Sequence, residues 1–209
     1  YKKGKQPLFK TRREINAGEF VKEAEQNAEP AAEMAARASD TLKKITDDKG
    51  EINRLELLIK GLEPWKSLDL PLETTQTKTS VIFMGALPVK TNMNDVINNV
   101  LEVAPSVVIQ QVSTDKTQAY VCVVCLKEQK NEALDALRKF GFISVSLGEN
   151  KGTAVEAQKT YAERIEVLKA EIADNEKNLT DLAEHISEIE IVYDDFLLKR
   201  DRAKAVGDM

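Results

Sequence analysis

Histidine, cysteine and aromatic residues are scarce in this 209-residue sequence, which holds one histidine, two cysteines and 5% aromatic residues. Histidine is the usual general base near neutral pH and the commonest metal ligand. The single histidine, His185, has no second ligand or base at helical spacing, so we expect it to be a solvated or packed side chain. The sequence therefore predicts no catalytic residue, no bound metal, no cofactor and no enzymatic activity.

The two cysteines, Cys122 and Cys125, have the spacing found in many zinc and redox sites, but their surroundings differ. They lie in the apolar run YVCVVCL, and a separation of three residues in a β-strand turns the two thiols to opposite faces. A structural zinc site also needs a second pair of ligands. We expect both cysteines to be buried, reduced and free of metal.

Glycine-rich loops are missing, because the nine glycines are isolated from one another. No phosphate-binding loop is predicted, and Gly85 in the string MGALP is interpreted as a turn at the end of a strand. An acidic cluster near the C-terminus lacks the spacing of a calcium-binding loop. We interpret this cluster as a solvated helix face; its members are Glu188, Glu190, Asp194 and Asp195.

The charge distribution and the lack of long apolar runs exclude two further classes. Residues 1–13 hold six basic and no acidic side chains and are interpreted as a basic connector, whereas residues 149–209 hold fifteen acidic and nine basic ones. Such a balance does not favour nucleic acid as a partner. No apolar run approaches the roughly 20 residues that span a bilayer. Because the sequence starts at Tyr1 rather than at methionine, we interpret it as a soluble piece of a larger protein.

Two charged segments carry the seam of a coiled coil, with apolar residues at alternating spacings of three and four. Residues 14–63 are predicted to form an outgoing helix with a kink near Pro30, and residues 153–209 a returning helix. The outgoing seam is Ala38, Leu42, Ile45, Lys49, Ile52, Leu55, Ile59 and Leu62. The returning seam is Tyr161, Ile165, Leu168, Ile172, Asn175, Leu179, Leu182, Ile186, Ile189, Tyr193, Phe196 and Ala203.

Between the two coils, residues 64–152 change to the period of two that is typical of strands. Strands and amphipathic helices follow in the order βαββαβ, which is that of ferredoxin-like folds, and Trp65 is expected to pack between coil and lobe. One core is predicted from Val81, Phe83, Ile109, Val121, Val123, Leu134, Leu137, Phe140 and Val145. The expected fold class is α+β, a long antiparallel two-helix coiled-coil hairpin capped by a ferredoxin-like lobe.

Several strings resemble the cytoplasmic portion of subunit I of V-type (A/V-type) rotary ATPases, the relative of subunit a. They are YKKGKQPLF (1–9), LEPWKSLDLPL (62–72), TKTSVIFMGALP (77–88) and LLKRDRAKAVGDM (197–209). The resemblance covers essentially the whole sequence and implies a stator component at the cytoplasmic face of the cell membrane. It also implies that the transmembrane half, which carries protons or sodium ions and would be the only contact with the membrane, is missing.

The resemblance further implies that the partners are the peripheral-stalk heterodimer and the rest of the ATPase complex. We expect the partner-binding residues on the surface of the lobe, 76–148, without assigning them individually. Two readings from the residues stay open: a generic coiled-coil adaptor, and a ferredoxin-like module that senses a small ligand. An RNA-binding lobe is disfavoured because the strands lack paired aromatic residues for stacking.

Overall fold

The computed structural model describes residues 16–207, so the predicted connector at residues 1–13 lies outside the described part of the chain. Helix α1 (Ala17–Leu62) is 46 residues long, and a 3-10 helix follows it at Glu63–Trp65. The chain divides into two compact units. The first contains residues up to Lys49 and from Lys169 onward, and the second contains Gly50–Leu168.

A four-stranded antiparallel sheet forms the centre of the second unit, with the strand order β2-β3-β1-β4. Alternating apolar residues with β-branched side chains favour this conformation over a helix. The strands are β1 (Ser80–Pro88), β2 (Val108–Thr114), β3 (Gln118–Leu126) and β4 (Ile143–Val145).

Two amphipathic helices connect these strands. Helix α2 (Met93–Val103) begins after Asn92, whose side chain accepts a hydrogen bond from the backbone N–H of Asn94 at 3.0 Å. Helix α3 (Lys130–Arg138) follows a 3-10 turn at 127–129 and ends before Gly141, whose φ of +80° suits glycine. The order βαββαβ is that of a ferredoxin-like fold, and the predicted α+β fold class is confirmed.

Alternate residues of β3 face opposite sides of the sheet. Val121, Val123 and Cys125 are buried against α2 and α3, whereas Cys122 is buried in a separate cluster on the other face. The prediction that the two thiols are buried on opposite faces is therefore confirmed, and both are free cysteines. Burial raises the pKa of both thiols, which keeps them protonated and poorly reactive at neutral pH.

The second sheet face is covered by the segment after α1 and by the start of helix α4 (Ala154–Ala183). Trp65 is only 1% exposed and meets the ring of Tyr120 edge-to-face, with 5.7 Å between centroids. Ala154 and Ala157 are buried in the same cluster. Trp65 thus packs in a core, as expected, and it is the largest side chain of that core.

One residue of the predicted core lies on the other side of the sheet. Eight of the nine predicted residues share the cluster under α2 and α3, but Val145 packs in the Trp65 cluster. The register explains the difference, because Val145 is paired with Met84, and Met84 is paired with Cys122. Residues paired across strands point to the same face, so Val145 follows Met84 and Cys122.

Helix α1 buries one stripe of residues at strictly alternating spacings of three and four, and Pro30 lies inside the helix without a restart. The predicted outgoing seam is wrong at Leu42, which is 41% exposed, and at Lys49, which is exposed. Thr41 and Asp48 hold these two positions and are half-buried. A helix buries the positions that lie on its packed face, whatever their side chains. Position 42 lies off that face, so Leu42 is exposed although it is apolar.

The predicted returning helix is divided into α4 and α5 (Ile186–Gly207). The seam residues from Tyr161 to Leu182 in α4 are buried or half-buried, as predicted. Within the second unit, the side chain of Gln158 donates to the carbonyl oxygen of Ile59 at 2.7 Å. Within the first unit, Lys49 and Glu176 form an ion pair at 3.2 Å. In the second unit, Ile165 and Leu168 also share a buried cluster with Leu55, so α4 runs antiparallel to α1 there.

The predicted seam fails in α5. Before α5, the backbone N–H of His185 donates to the carbonyl oxygen of Leu182 at 3.1 Å, a tight turn that changes the helical phase. Helix α5 then buries Ile191 and Asp195. The seam residues Ile186, Tyr193 and Phe196 are 55%, 60% and 64% exposed. Neither proline nor glycine lies at 184–185, so the sequence contains no ordinary signal for this turn.

Gly85 lies within β1 rather than at its end, which corrects the interpretation of a turn. The ring of Phe142 packs over Gly85, and the carbonyl oxygen of Ile143 lies beside it, so a Cβ atom would collide with both. Phe142 in turn meets Phe83 edge-to-face at 6.1 Å. Glycine is required here because an aromatic side chain occupies the space of its missing Cβ.

Gly85→Ala should lower the free energy of unfolding by about 1–3 kcal/mol, because Phe142 or β4 must move to accept the methyl group. The control is Gly61→Ala, since Gly61 lies in α1 with no atom within 4 Å of a Cβ and alanine raises helix stability by up to about 1 kcal/mol. Urea denaturation measures both variants. Equal stability of the two variants would contradict the packing argument.

Candidate partner-binding surface

The described residues contain no group of three or more histidine, cysteine, aspartate or glutamate side chains that could hold a metal ion. His185 lies at the turn before α5, exposed, with its Nδ1 atom 3.2 Å from a carboxylate oxygen of Glu188. Residues 16–207 also include no helix with the length and apolar character needed to cross a membrane.

A row of apolar side chains crosses three strands on the sheet face that carries Trp65. Val108 of β2 is paired with Val124 of β3, and Val124 is paired with Ile82 of β1. Val124 and Ile82 are half-buried, while Val108 is 62% exposed. Cross-strand pairs of this kind lie about 5 Å apart, so the three side chains form a continuous strip, here called the valine row.

The edge of the sheet is open beside the valine row. In the described part of the chain, β2 pairs with β3 alone. The hydroxyl of Ser67 donates to the carbonyl oxygen of Val112 at 2.9 Å, which covers the later part of β2. The first residues of β2, including Val108, are not reached by this contact. An edge strand with an exposed apolar side chain is a common place for another chain to bind.

Basic side chains lie at the same end of the sheet. Lys78 precedes β1, and Lys127 follows β3; both are exposed, and the backbone N–H of Lys127 donates to the carbonyl oxygen of Thr79 at 3.0 Å. This bond holds the two lysine-bearing segments next to each other. An apolar strip with a basic rim suits a partner helix whose apolar stripe is flanked by carboxylates.

At the opposite end of β2, the turn to β3 is organised by Asp115. Its carboxylate accepts hydrogen bonds from the backbone N–H groups of Thr117 (2.7 Å) and Gln118 (2.8 Å). It also accepts from the hydroxyls of Thr117 and Tyr120, both at 2.9 Å. These bonds, led by the one from the Thr117 N–H, hold the pKa of Asp115 well below its usual range. The turn therefore ties the β2–β3 hairpin to Tyr120, which packs on Trp65.

The sequence predicts a binding surface within residues 76–148 without indicating which residues form it. The valine row was not predicted, because Ile82, Val108 and Val124 were assigned only to three separate strands. The register, which brings Val108, Val124 and Ile82 together, follows from the strand order and was not visible in any single strand. The Asp115 turn had a sequence signal in the string STDKTQ, since aspartate often accepts from the backbone two residues on.

Comparisons with known proteins give one informative result. No protein-family model matches the sequence, and no curated protein matches it. The crystal structure of the cytoplasmic N-terminal domain of subunit I, homolog of subunit a, of V-ATPase is similar, with a TM-score of 0.59 and 18% identity. The match covers 91% of this chain and 71% of that one. At this level of identity the similarity establishes a shared fold.

Asp115→Asn should lower the thermal midpoint of unfolding at pH 7, because the neutral amide accepts hydrogen bonds more weakly than the carboxylate. The control is Asp69→Asn, at an exposed position of the same unit. Because folding depresses the pKa of Asp115, its contribution is fully present at neutral pH and is lost as the pH falls below about 4. The midpoints of the wild type and Asp115→Asn should therefore converge in acid. If Asp115→Asn unfolded at the same temperature as the wild type at pH 7, this role of Asp115 would be contradicted.

Proposed function

We propose that this chain is the cytoplasmic part of subunit I of a V-type ATPase and acts as a stator component. The observation that carries the proposal is the shared fold over 91% of the chain. The strings LEPW (62–65) and GALP (85–88), which carry the resemblance described above, also support it. Leu62 and Trp65 of the first string lie in the Trp65 core. On this proposal the chain is a non-catalytic strut at the cytoplasmic face of the cell membrane.

The mechanical role follows from the helices. A straight helix with the 46 residues of α1 would be about 70 Å long, which exceeds the width of an ordinary small domain. Pairing α1 with α4 in each unit resists bending better than one helix can, since each supplies the other with a buried stripe. On our proposal the strut holds the ion-channel domain against the torque of the rotor. Proton or sodium transport belongs to the intact complex.

The valine row is the proposed docking surface for the peripheral-stalk heterodimer. It offers exposed apolar area at a sheet edge, and Lys78 and Lys127 select for an acidic partner helix. Such a small surface gives weak binding by itself. The intact complex would gain affinity from its other attachments, because linked contacts raise the effective concentration.

Val108→Asp should weaken binding of the stalk heterodimer at least tenfold, because it places a charge in the apolar strip and repels acidic partners. The matched control is Val167→Asp in α4, since Val167 is similarly exposed, at 47%. Isothermal titration of the full chain with the heterodimer measures both variants, and circular dichroism confirms that each is folded.

The two parts of the proposal fail in different ways. If the wild-type chain does not bind the heterodimer at high micromolar concentration, the stator assignment is wrong. If the wild type binds and the two variants bind equally well, the assignment stands and the valine row is not the docking surface.

A further inference from the structure

A buried amide side chain connects the start of α4 to the end of α1. Gln158 lies in the second turn of α4 and is only 8% exposed. Its Nε2 atom donates to the carbonyl oxygen of Ile59, in the last turn of α1, at 2.7 Å, and to a carboxylate oxygen of Glu63 at 3.1 Å. Both partners accept and cannot donate, so the nitrogen of the amide, with its two protons, must face α1.

The second acceptor, Glu63, is held in place by its own neighbours. Its other carboxylate oxygen accepts from the Nζ atom of Lys66 at 2.8 Å. The hydrogen bonds from Lys66 and then from Gln158 hold the pKa of Glu63 below its ordinary value, so the carboxylate is charged at neutral pH. Pro64 lacks an N–H group, which helps to end α1 at Leu62. The end of α1 therefore presents two fixed acceptors to α4.

The apolar contacts between the two helices do not by themselves select one register. Leu55 of α1 is buried with Ile165 and Leu168 of α4, with further apolar side chains around them. The apolar residues recur at spacings of three and four in both helices, so after a slide of one turn apolar residues again face one another. Such a slide, of about 5.4 Å, would carry the amide of Gln158 away from both acceptors. A buried amide without partners is costly.

From these contacts we infer that Gln158 is a positioning residue, which sets the register of α4 against α1 within the unit Gly50–Leu168. A single polar side chain buried in a coiled coil can specify register in this way. Tyr161, by contrast, bonds from α4 to Asn150 of the lobe, at 2.7 Å. The hydrogen bonds of Gln158 need no partner protein, so this role is independent of the proposed stator function.

Double electron–electron resonance on the full chain tests this role. Spin labels are attached to Leu57→Cys in α1 and Val167→Cys in α4, two exposed positions of the same unit; the native thiols are buried and are not labelled. The chain that retains Gln158 should give one narrow distance. Gln158→Met keeps the length of the side chain but removes both donors. It should at least double the width of the distance distribution, or add a second distance about 5 Å away, with unchanged helix content by circular dichroism.

Two further variants separate the hydrogen bonds from packing. Gln158→Lys supplies donors to the same two acceptors and should restore the narrow distance. Tyr161→Phe removes a hydrogen bond between α4 and the lobe and should leave the distance between the labels unchanged. An unchanged distribution in Gln158→Met, or equal broadening in Gln158→Lys or Tyr161→Phe, would overturn the inference. It would also be overturned if Gln158→Met did not fold, since Gln158 would then be required for folding rather than for register.

Discussion

The two central strands of the sheet, β1 and β3, are largely buried on both faces, and this constraint organises the rest of the second unit. Helices α2 and α3 cover one face with apolar side chains. They are connected through the strands and cannot reach the other face. Trp65, the segment up to Leu72, and the first turns of α4 therefore close the second face. The end of α1, at Leu62, and the start of α4, at Ala154 and Ala157, are held in this unit because they pack on that second face.

Hydrogen bonds then fix the position of the segments that cover the second face. The phenol of Tyr161 donates to the side-chain oxygen of buried Asn150 at 2.7 Å. The backbone N–H of Leu72 donates to the carbonyl oxygen of Gly152 at 2.8 Å. Thr153 and Glu156 cap the start of α4 by exchanging hydrogen bonds with each other's backbone N–H groups. Each bond satisfies a group that would be costly to leave unpaired near the core.

The helices are packed differently in the two units. In the second unit, Leu55, Ile165 and Leu168 form a buried cluster with Ile52, Leu58, Ile59 and Tyr161 around it. In the first unit, the stripe of α1 consists mostly of small or polar residues such as Ala24, Ala31 and Thr41. Less apolar area is removed from water there. We therefore expect local opening to require less free energy in the first unit.

Local periodicity alone predicted the elements of this protein, except for the break between α4 and α5. The period of two specified four strands, and the period of 3.5 specified the long helices, because both periods describe which side chains share a face along one element. The tertiary structure decided which partner each face meets. In the tertiary structure Leu42 is exposed and Thr41 is half-buried. Val145 packs with Met84 on the Trp65 face. Glycine is required at position 85 because the ring of Phe142 packs over it. The tertiary structure also brought together the valine row and left the predicted seam residues Ile186, Tyr193 and Phe196 of α5 exposed. These outcomes depend on register, strand order and helical phase, which are set by contacts between residues far apart in the sequence.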